Sequence, residues 1–555
     1  MTSQNSQPKP ELILRIHTAD TLLVALQDLH AGQMVAIAPE AWRVNEDIAA
    51  KHKFAARRFA PGDPVHLFGV VVGKATHVIQ PGDLVHTHNL SHAAEPFGLS
   101  SKRPYAWNAP DVSAFKERKF LGYRRADGRV GTRNHWLVIP LVFCENNNLQ
   151  VMREAFLREL GYANNDRYAT LVRELVLARE RGADTRSVPS PAAGPQGFSR
   201  PFPNVDGIKF LAHTLGCGGV ESDSAALCKL LAAYICHPNV AGATVLSLGC
   251  QKAQIAMLQE EIRRIDPAFS KPLPILESQK IGLKTGMLEE AIRTTFQGLI
   301  EANECKRTPE DLRHLTVGVK CGASDGFSGI SANPSVGLMA DKIVALGGAS
   351  VLAEFPELVG VEQELIDRCV TDELAQKFID LMAGYAAQAA ACGASMDMNP
   401  SPGNIRDGLI TDAIKSCGAA RKGGYAPIVD VLDYPEQVRK SGLHLLCTPG
   451  NDVEATTGQA AAGCNLILFT TGLGTPTGNP ITPTLKIATN HALASKMPDI
   501  IDHDCGGVID GHSTLELEAD TLLELCIRVA SGQQLARAEV YNQDDFIPWK
   551  RGVSL

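Results

Sequence analysis

The sequence predicts an α/β protein in which a small β-rich domain precedes two α/β domains. Three observations predict it. Residues 12–90 read as short strands punctuated by turns, and Pro61-Gly62-Asp63 and Pro81-Gly82-Asp83 are near-identical corners, each followed by a strand. Four later apolar strands, Trp136–Phe143, Ile208–Ala212, Ala243–Leu248 and Val317–Val319, each run into a cysteine beside glycine or polar residues. Finally, Leu315–Val319 is followed by a polar glycine loop, a helical pattern over Pro334–Leu346, a Gly347-Gly348 stop and a strand over Ala349–Glu354. That succession is a βαβ unit, which takes ligands at the C-terminal ends of its strands.

Composition narrows the class. The 555 residues suffice for two to four domains; 45% are hydrophobic and 21% charged, which describes a globular chain. A formal net charge of −8 carries no basic surplus, so nucleic acid is not an expected partner. No apolar run reaches the ~18 residues of a membrane span, and Met1–Pro10 lacks the form of a signal peptide. Fourteen scattered cysteines suit reduced thiols, so the cytoplasm is the expected compartment.

In chain order, the small domain carries His17, His52, Lys53 and the corner Pro81-Gly-Asp-Leu-Val-His86-Thr-His88-Asn89. His86 and His88, two apart, share one face if the strand continues, and two imidazoles on one face are able to bind a metal; a strand end facing water is the commoner reason for such a pair. Residues 91–118 lack periodicity and read as a linker. Asp127-Gly128 is a hairpin signal crowded by Arg124, Arg125, Arg129 and Arg133; such arginines grip carboxylates if they converge and are a solvated surface otherwise. Cys144, Cys217, Cys250 and Cys321 end the four apolar strands, and convergent thiols make a soft-metal or redox site, whereas a single one is a small buried hydrophobe. Residues 176–205, rich in proline, glycine, serine and arginine, read as a surface insertion, and 283–312 as a helical connection. In the third domain, Ser324 and Asp325 put a hydroxyl and a carboxylate on the glycine loop after Cys321. Glu354 and Glu357 end the next strand, Asn399–Asn404 is a turn, and Thr471–Gly478 is a glycine–threonine loop without the order of a P-loop.

Together these motifs resemble the altronate/galactarate dehydratase family of sugar-acid hydro-lyases. The match rests on Gly122–Asn134, His213–Cys217, Gly249-Cys250, Cys321–Asn333, Asn399–Asn404, Gly472–Gly478 and Lys486–Thr489, in the family order. The resemblance implies a SAF-type β-clip domain over 12–95, a linker over 96–118, an α/β domain over 119–312 and a Rossmann-like α/β domain over 313–555. It also implies a divalent metal, ferrous iron with manganese as the alternative, and a small sugar acid as substrate; a homodimer is expected because large α/β enzymes are often dimers. The H-x-H-N corner, with Cys417 and Cys464, points to the altronate branch. The expected site then has Lys53 and His88 as base and acid, and Arg133, Ser324, Asp325 and Asn333 on the substrate. The metal is expected on His17, His86 and His88, or alternatively on the four strand-end thiols. The competing expectations are a galactarate or sulfolactate-type lyase and a non-catalytic sugar-acid binding protein.

Overall fold

The computed structural model describes residues 11–162, 167–190 and 200–554. Its N-terminal part is all β. Strands Ile13–Leu14, Leu22–Ala25, Lys53–Ala55 and Leu84–Val85 form an antiparallel sheet in that order. A hairpin of Met34–Ile37 and Glu40–Arg43 and a three-stranded sheet centred on Val70–Ala75 complete it. The twin corners are built alike. The Asp63 carboxylate accepts the Ala60 N–H at 2.8 Å and the Asp83 carboxylate the Gln80 N–H at 2.7 Å, while Gly62 and Gly82 hold φ of 90° and 88°. Residues 96–118 are an extended strap bound to the last domain. Gly98 N–H donates to Gln363, Arg103 to Asp367 and the Tyr105 hydroxyl to the Tyr425 carbonyl.

The second domain holds a parallel sheet in the order Gly207–Phe210, His135–Pro140, Val240–Ser247, Ile275–Glu277. The hairpin expected at Asp127-Gly128 is present, pairing Lys119–Arg124 with Val130–Gly131. A third strand, Thr308–Asp311, comes from the far end of the domain. Helix Arg167–Glu180 runs into the first residues of the 176–205 insertion, of which residues 191–199 lie outside the described residues. Trp136, fully buried, fixes the distance between the sheet and helix Lys284–Ala302. A Cβ on Gly298 would lie 1.9 Å from the indole ring. Gly298→Ala is therefore expected to destabilise the protein by about 1–3 kcal/mol through overpacking, despite the better helix propensity of alanine. Urea unfolding reads it directly, and an unchanged or raised midpoint would contradict this packing.

The last domain is a seven-stranded parallel sheet ordered Ile428–Leu432, Gly442–Leu446, Ala349–Ala353, Thr316–Cys321, Leu466–Thr471, Thr484–Ala488, His503–Asp504. The chain lays Thr316–Cys321 first, adds Ala349–Ala353 beside it, goes out to the edge strand Ile428–Leu432 and back to Gly442–Leu446 between these two, then crosses to build the other side. The direction reverses between Thr316–Cys321 and Leu466–Thr471, which opens a crevice at their C-terminal ends. The helix after the first strand, Ala332–Ala345, is buried almost throughout. Among the described residues, no helix is long and apolar enough to cross a membrane.

The four strand-end thiols do not all converge. Cys144, Cys217 and Cys250 are exposed at the edge of the four-stranded sheet, whereas Cys321 is buried at the end of a strand in the seven-stranded sheet. The shared pattern in the sequence reflects a shared place at strand ends, on two separate sheets.

Candidate active site

The crevice of the large sheet is closed from above by the small β domain. The loop after Thr316–Cys321 lies at its centre, and Asp325 is the hub of that loop. Its carboxylate is fully buried and accepts hydrogen bonds from Ser328 Oγ (3.0 Å), the Phe327 N–H (3.2 Å), Thr489 Oγ1 (3.1 Å) and Asn490 Nδ2 (3.2 Å). Lys51 of the small domain completes the shell at 3.0 Å and also lies 3.4 Å from Asp407. Burial works against the Lys51 charge, but Asp325 and Asp407 outweigh it and hold the ammonium above its ordinary value. Gly472 is required beside this hub, since a Cβ there would fall 2.3 Å from the Asp325 carboxyl carbon.

Next to it, Lys53 is enclosed at 2% exposure, and its Nζ donates to the carbonyls of Lys51 (2.8 Å) and Gly408 (2.7 Å). Burial lowers its pKa to about 7; Asp325 opposes the shift and Lys51 adds to it. A neutral amine has two N–H donors and one lone pair. The two carbonyls use both donors, so the lone pair remains for the cleft. Gly408 makes this approach: it holds φ +91°, and a Cβ would meet the Lys51 carbonyl at 2.4 Å. The cleft around Lys53 is lined by Ile16, Phe68, Ser324, Ser328, Asn333 and Lys415.

The turn expected at Asn399–Asn404 supports this loop from below. It leads into a short helix, Pro402–Arg406, with a capping box between Ser401 and Asn404. Asn404 Nδ2 donates to the Ser324 carbonyl at 2.8 Å, and the Gly326 N–H donates to the Asp407 carbonyl at 2.8 Å. Ser324 Oγ itself is buried without a hydrogen-bond partner.

Beneath the cleft lies a buried ionic cluster. Glu357 meets Lys422 at 3.0 Å, Lys415 at 3.4 Å and the Cys321 thiol at 3.1 Å, while Lys320 joins Glu354 (2.8 Å) and Asp452 (2.7 Å). Burial favours protonated Glu357, yet Lys422, Lys415 and Lys320 hold its carboxyl well below the usual carboxylate range. Glu354, by contrast, is pushed up to about 8 by burial and by Glu357. Asp412 is also raised to about 8, chiefly by burial, and neither of its oxygens has a partner.

The small-domain histidines are partly gathered. His52, His86 and His88 form a ladder of stacked rings with centroids 5.8 and 6.3 Å apart. The strand expected to carry His86 and His88 ends at Val85, so both lie in the turn after it. Burial lowers the pKa of His86 and of His52, which keeps them neutral, the form that ligates a metal. Imidazole nitrogens are metal-ligand chemistry, but among the described residues those of His52, His86 and His88 do not all lie within 4.8 Å of one another. His17 does not join them; its ring packs on Gly69, and Nδ1 accepts the Ala19 N–H at 3.1 Å. Among the described residues, three ligating atoms come within 4.8 Å of one another in two other groups, Cys321–Glu354–Glu357 and His503–Cys505–Glu518. In the first, lysine ammonium groups already neutralise the carboxylates.

Two further expectations are corrected. Arg133 is buried and spends its guanidinium on Glu539 (2.7 and 2.8 Å) and on the carbonyls of Thr132 and Val529, so it ties the two large domains together and is not free for substrate. Its neighbours are likewise committed, Arg124 to Glu310 and Arg125 to the Pro238 carbonyl. Asn333 lines the cleft, but its amide donates to the Gly418 carbonyl and accepts from Thr470 Oγ1, which makes it a positioning residue. Lys51, Asp407, Asp412 and Lys415 were not singled out from the sequence. The run Lys51-His52-Lys53 in a mostly apolar β domain was the available signal.

Comparison with known proteins follows the same division of the chain. Residues 11–93 match the altronate/galactarate dehydratase SAF domain, residues 122–303 the second domain of D-galactarate dehydratase/altronate hydrolase, and residues 312–554 the C-terminal domain of D-galactarate/altronate dehydratase. Altronate dehydratase of Bacillus subtilis is 33% identical over 98% of this chain and 99% of its own length. Altronate dehydratase of Escherichia coli is 32% identical over the same shares. Galactarate dehydratase (L-threo-forming) of Escherichia coli is 27% identical over 94% of this chain and 93% of its own. A β-clip lid carrying a buried amine, set over the crevice of a parallel sheet, is thus the architecture of an enzyme, a carbon–oxygen lyase of the dehydratase class. The chain belongs to the altronate/galactarate dehydratase family.

Proposed function

We propose that the protein dehydrates D-altronate to 2-dehydro-3-deoxy-D-gluconate in the cleft between the small domain and the large sheet. The observation that carries this reading is Lys53, buried in the lining of the cleft with Nζ on the Lys51 and Gly408 carbonyls and its pKa lowered by burial to about 7. Dehydration begins with loss of the proton α to a carboxylate, a step that needs a base active near neutral pH. Lys53 takes that proton. The hydroxyl on the next carbon leaves with the proton Lys53 then carries, as water, and the resulting enol tautomerises to the 2-keto-3-deoxy acid.

The remaining groups orient the substrate. Ser324 Oγ meets a substrate hydroxyl, and the Asp325–Lys51 pair holds the glycine loop and the lid in register. His86 and His88 are the residues that would hold a divalent ion, ferrous iron or manganese. Such an ion supplies Lewis-acid polarisation of the substrate carboxylate, which lowers the barrier to α-proton loss. His88 keeps the ligand role in this reading. The helix Ala332–Ala345 between the first two strands and the reversal of strand order beside Thr316–Cys321 also support reading the last domain as Rossmann-like. The altronate branch is favoured over the galactarate branch by the 33% and 32% identities against 27%, and by the corner His86-Thr-His88-Asn89.

The test is a panel of aldonates and aldarates assayed with ferrous iron and reductant, scored as 2-keto-3-deoxy acid released. Turnover is expected from altronate. Turnover from galactarate alone would refute the altronate assignment, and binding without product would refute catalysis.

A further inference from the structure

The far edge of the large sheet carries a second chemical cluster that the dehydration reading leaves unused. The edge strand His503–Asp504 runs into Cys505, and helix Leu515–Ala530 brings Glu518 against it. His503 Nε2 lies 2.5 Å from Glu518 Oε2, and a ligating atom of Cys505 lies within 4.8 Å of both. Cys505 and Glu518 are buried, Glu518 is hydrogen-bonded by His503, and the Ser513 hydroxyl is buried without a hydrogen-bond partner.

Charge separates this cluster from the one under the cleft. Cys321, Glu354 and Glu357 are matched by Lys320, Lys415 and Lys422. Among the described residues, Glu518 has His503 as its ion-pair partner and no lysine or arginine. The surrounding segment is itself acidic, although Asp520 pairs with Lys342 and Asp502 faces Lys486 and Arg537 from other elements. Residues 499–520 hold Asp499, Asp502, Asp504, Asp510, Glu516, Glu518 and Asp520 and no lysine or arginine. Asp504 and Asp510 both converge on His491, at 2.6 and 3.3 Å. A buried carboxylate beside a thiol and an imidazole, without a fixed cation, is stabilised by a cation that takes all three as ligands. Sulfur, nitrogen and carboxylate oxygen together suit a borderline divalent ion such as Zn²⁺.

We propose that His503, Cys505 and Glu518 form a structural site for a borderline divalent metal, distinct from any ion at the histidine ladder. An ion there ties the edge strand to the start of helix Leu515–Ala530. It also steadies the segment Thr489–His491, in which Thr489 and Asn490 hold Asp325. The bound site would leave a coordination position for Ser513 or water.

Cobalt is the probe, because a thiolate bound to Co²⁺ gives a charge-transfer band in the near ultraviolet that nitrogen and oxygen ligands do not. The full chain, stripped with chelator under reductant, is titrated with Co²⁺. One thiolate-bound cobalt per chain is expected. The band should vanish in Cys505→Ser and persist in the combined Cys144→Ser, Cys217→Ser, Cys250→Ser variant, which removes the exposed thiols. His503→Gln should weaken cobalt affinity about tenfold or more, and it serves as the second variant if Cys505→Ser folds poorly. Zn²⁺ should raise the thermal midpoint of the wild type and not that of His503→Gln. Absence of the band in the wild type, or its survival in Cys505→Ser, overturns the proposal. Neither result bears on altronate turnover, so the two readings fail separately.

Discussion

Lys53→Met is expected to lower turnover of the sugar acid by about 10²–10⁴-fold, the range that a general base supplies. Methionine fills the same space without a titratable group, so substrate binding should be largely kept and kcat should carry the loss. The magnitude follows from the enclosure. At an ordinary lysine pKa of 10.5 the free amine would be roughly 10³-fold scarcer at neutral pH than at the value of about 7 that burial imposes here. Lys53→Arg, permanently charged, should be as inactive as the methionine variant. A variant retaining more than about a tenth of wild-type kcat would remove Lys53 from the chemistry.

The second large effect is on stability. Glu357→Ala should cost about 3–5 kcal/mol, because it strands buried Lys422 and Lys415 without the carboxylate that neutralises them. Glu357→Gln keeps the shape and should recover only part of the loss. The pH dependence has a definite sign. The folded-state pKa of Glu357 lies well below 4.5, so its contribution is present above that value and is lost as the pH falls through the folded pKa. Urea unfolding at neutral pH reads the effect, and a change under about 1 kcal/mol would show that the lysines find other partners.

What the sequence disclosed was local. The helix expected over Pro334–Leu346 is observed at Ala332–Ala345, and the strand expected over Ala349–Glu354 at Ala349–Ala353, because apolar periodicity and a Gly347-Gly348 stop are written within a few residues. The twin Pro-Gly-Asp corners are equally self-contained. The place of Ser324 and Asp325 on the loop after Thr316–Cys321 was legible because the loop follows its strand directly, although a tight connection would have the same sequence.

Long-range partnership was not legible. The four arginines near Asp127 look like a carboxylate grip until Glu310, Pro238 and Glu539 arrive from distant segments to occupy them. Strand Thr308–Asp311 pairs with Lys119–Arg124 across almost the entire second domain, and no local pattern announces it. His17 appeared beside His86 and His88 in composition only, since its turn faces Gly69. The burial that lowers the Lys53 pKa is not written near it in the sequence. The two carbonyls and the left-handed Gly408 that enclose it come partly from a domain more than 350 residues later.

The measurement that tests the account most directly is the pH dependence of kcat/KM for altronate in the wild type. Catalysis by the neutral amine of Lys53 predicts a rise of about tenfold per pH unit on the acid side that levels off near pH 7, where burial sets its pKa. A profile flat from about pH 5 to 9, or one that falls as Lys53 deprotonates, would contradict a base at this position.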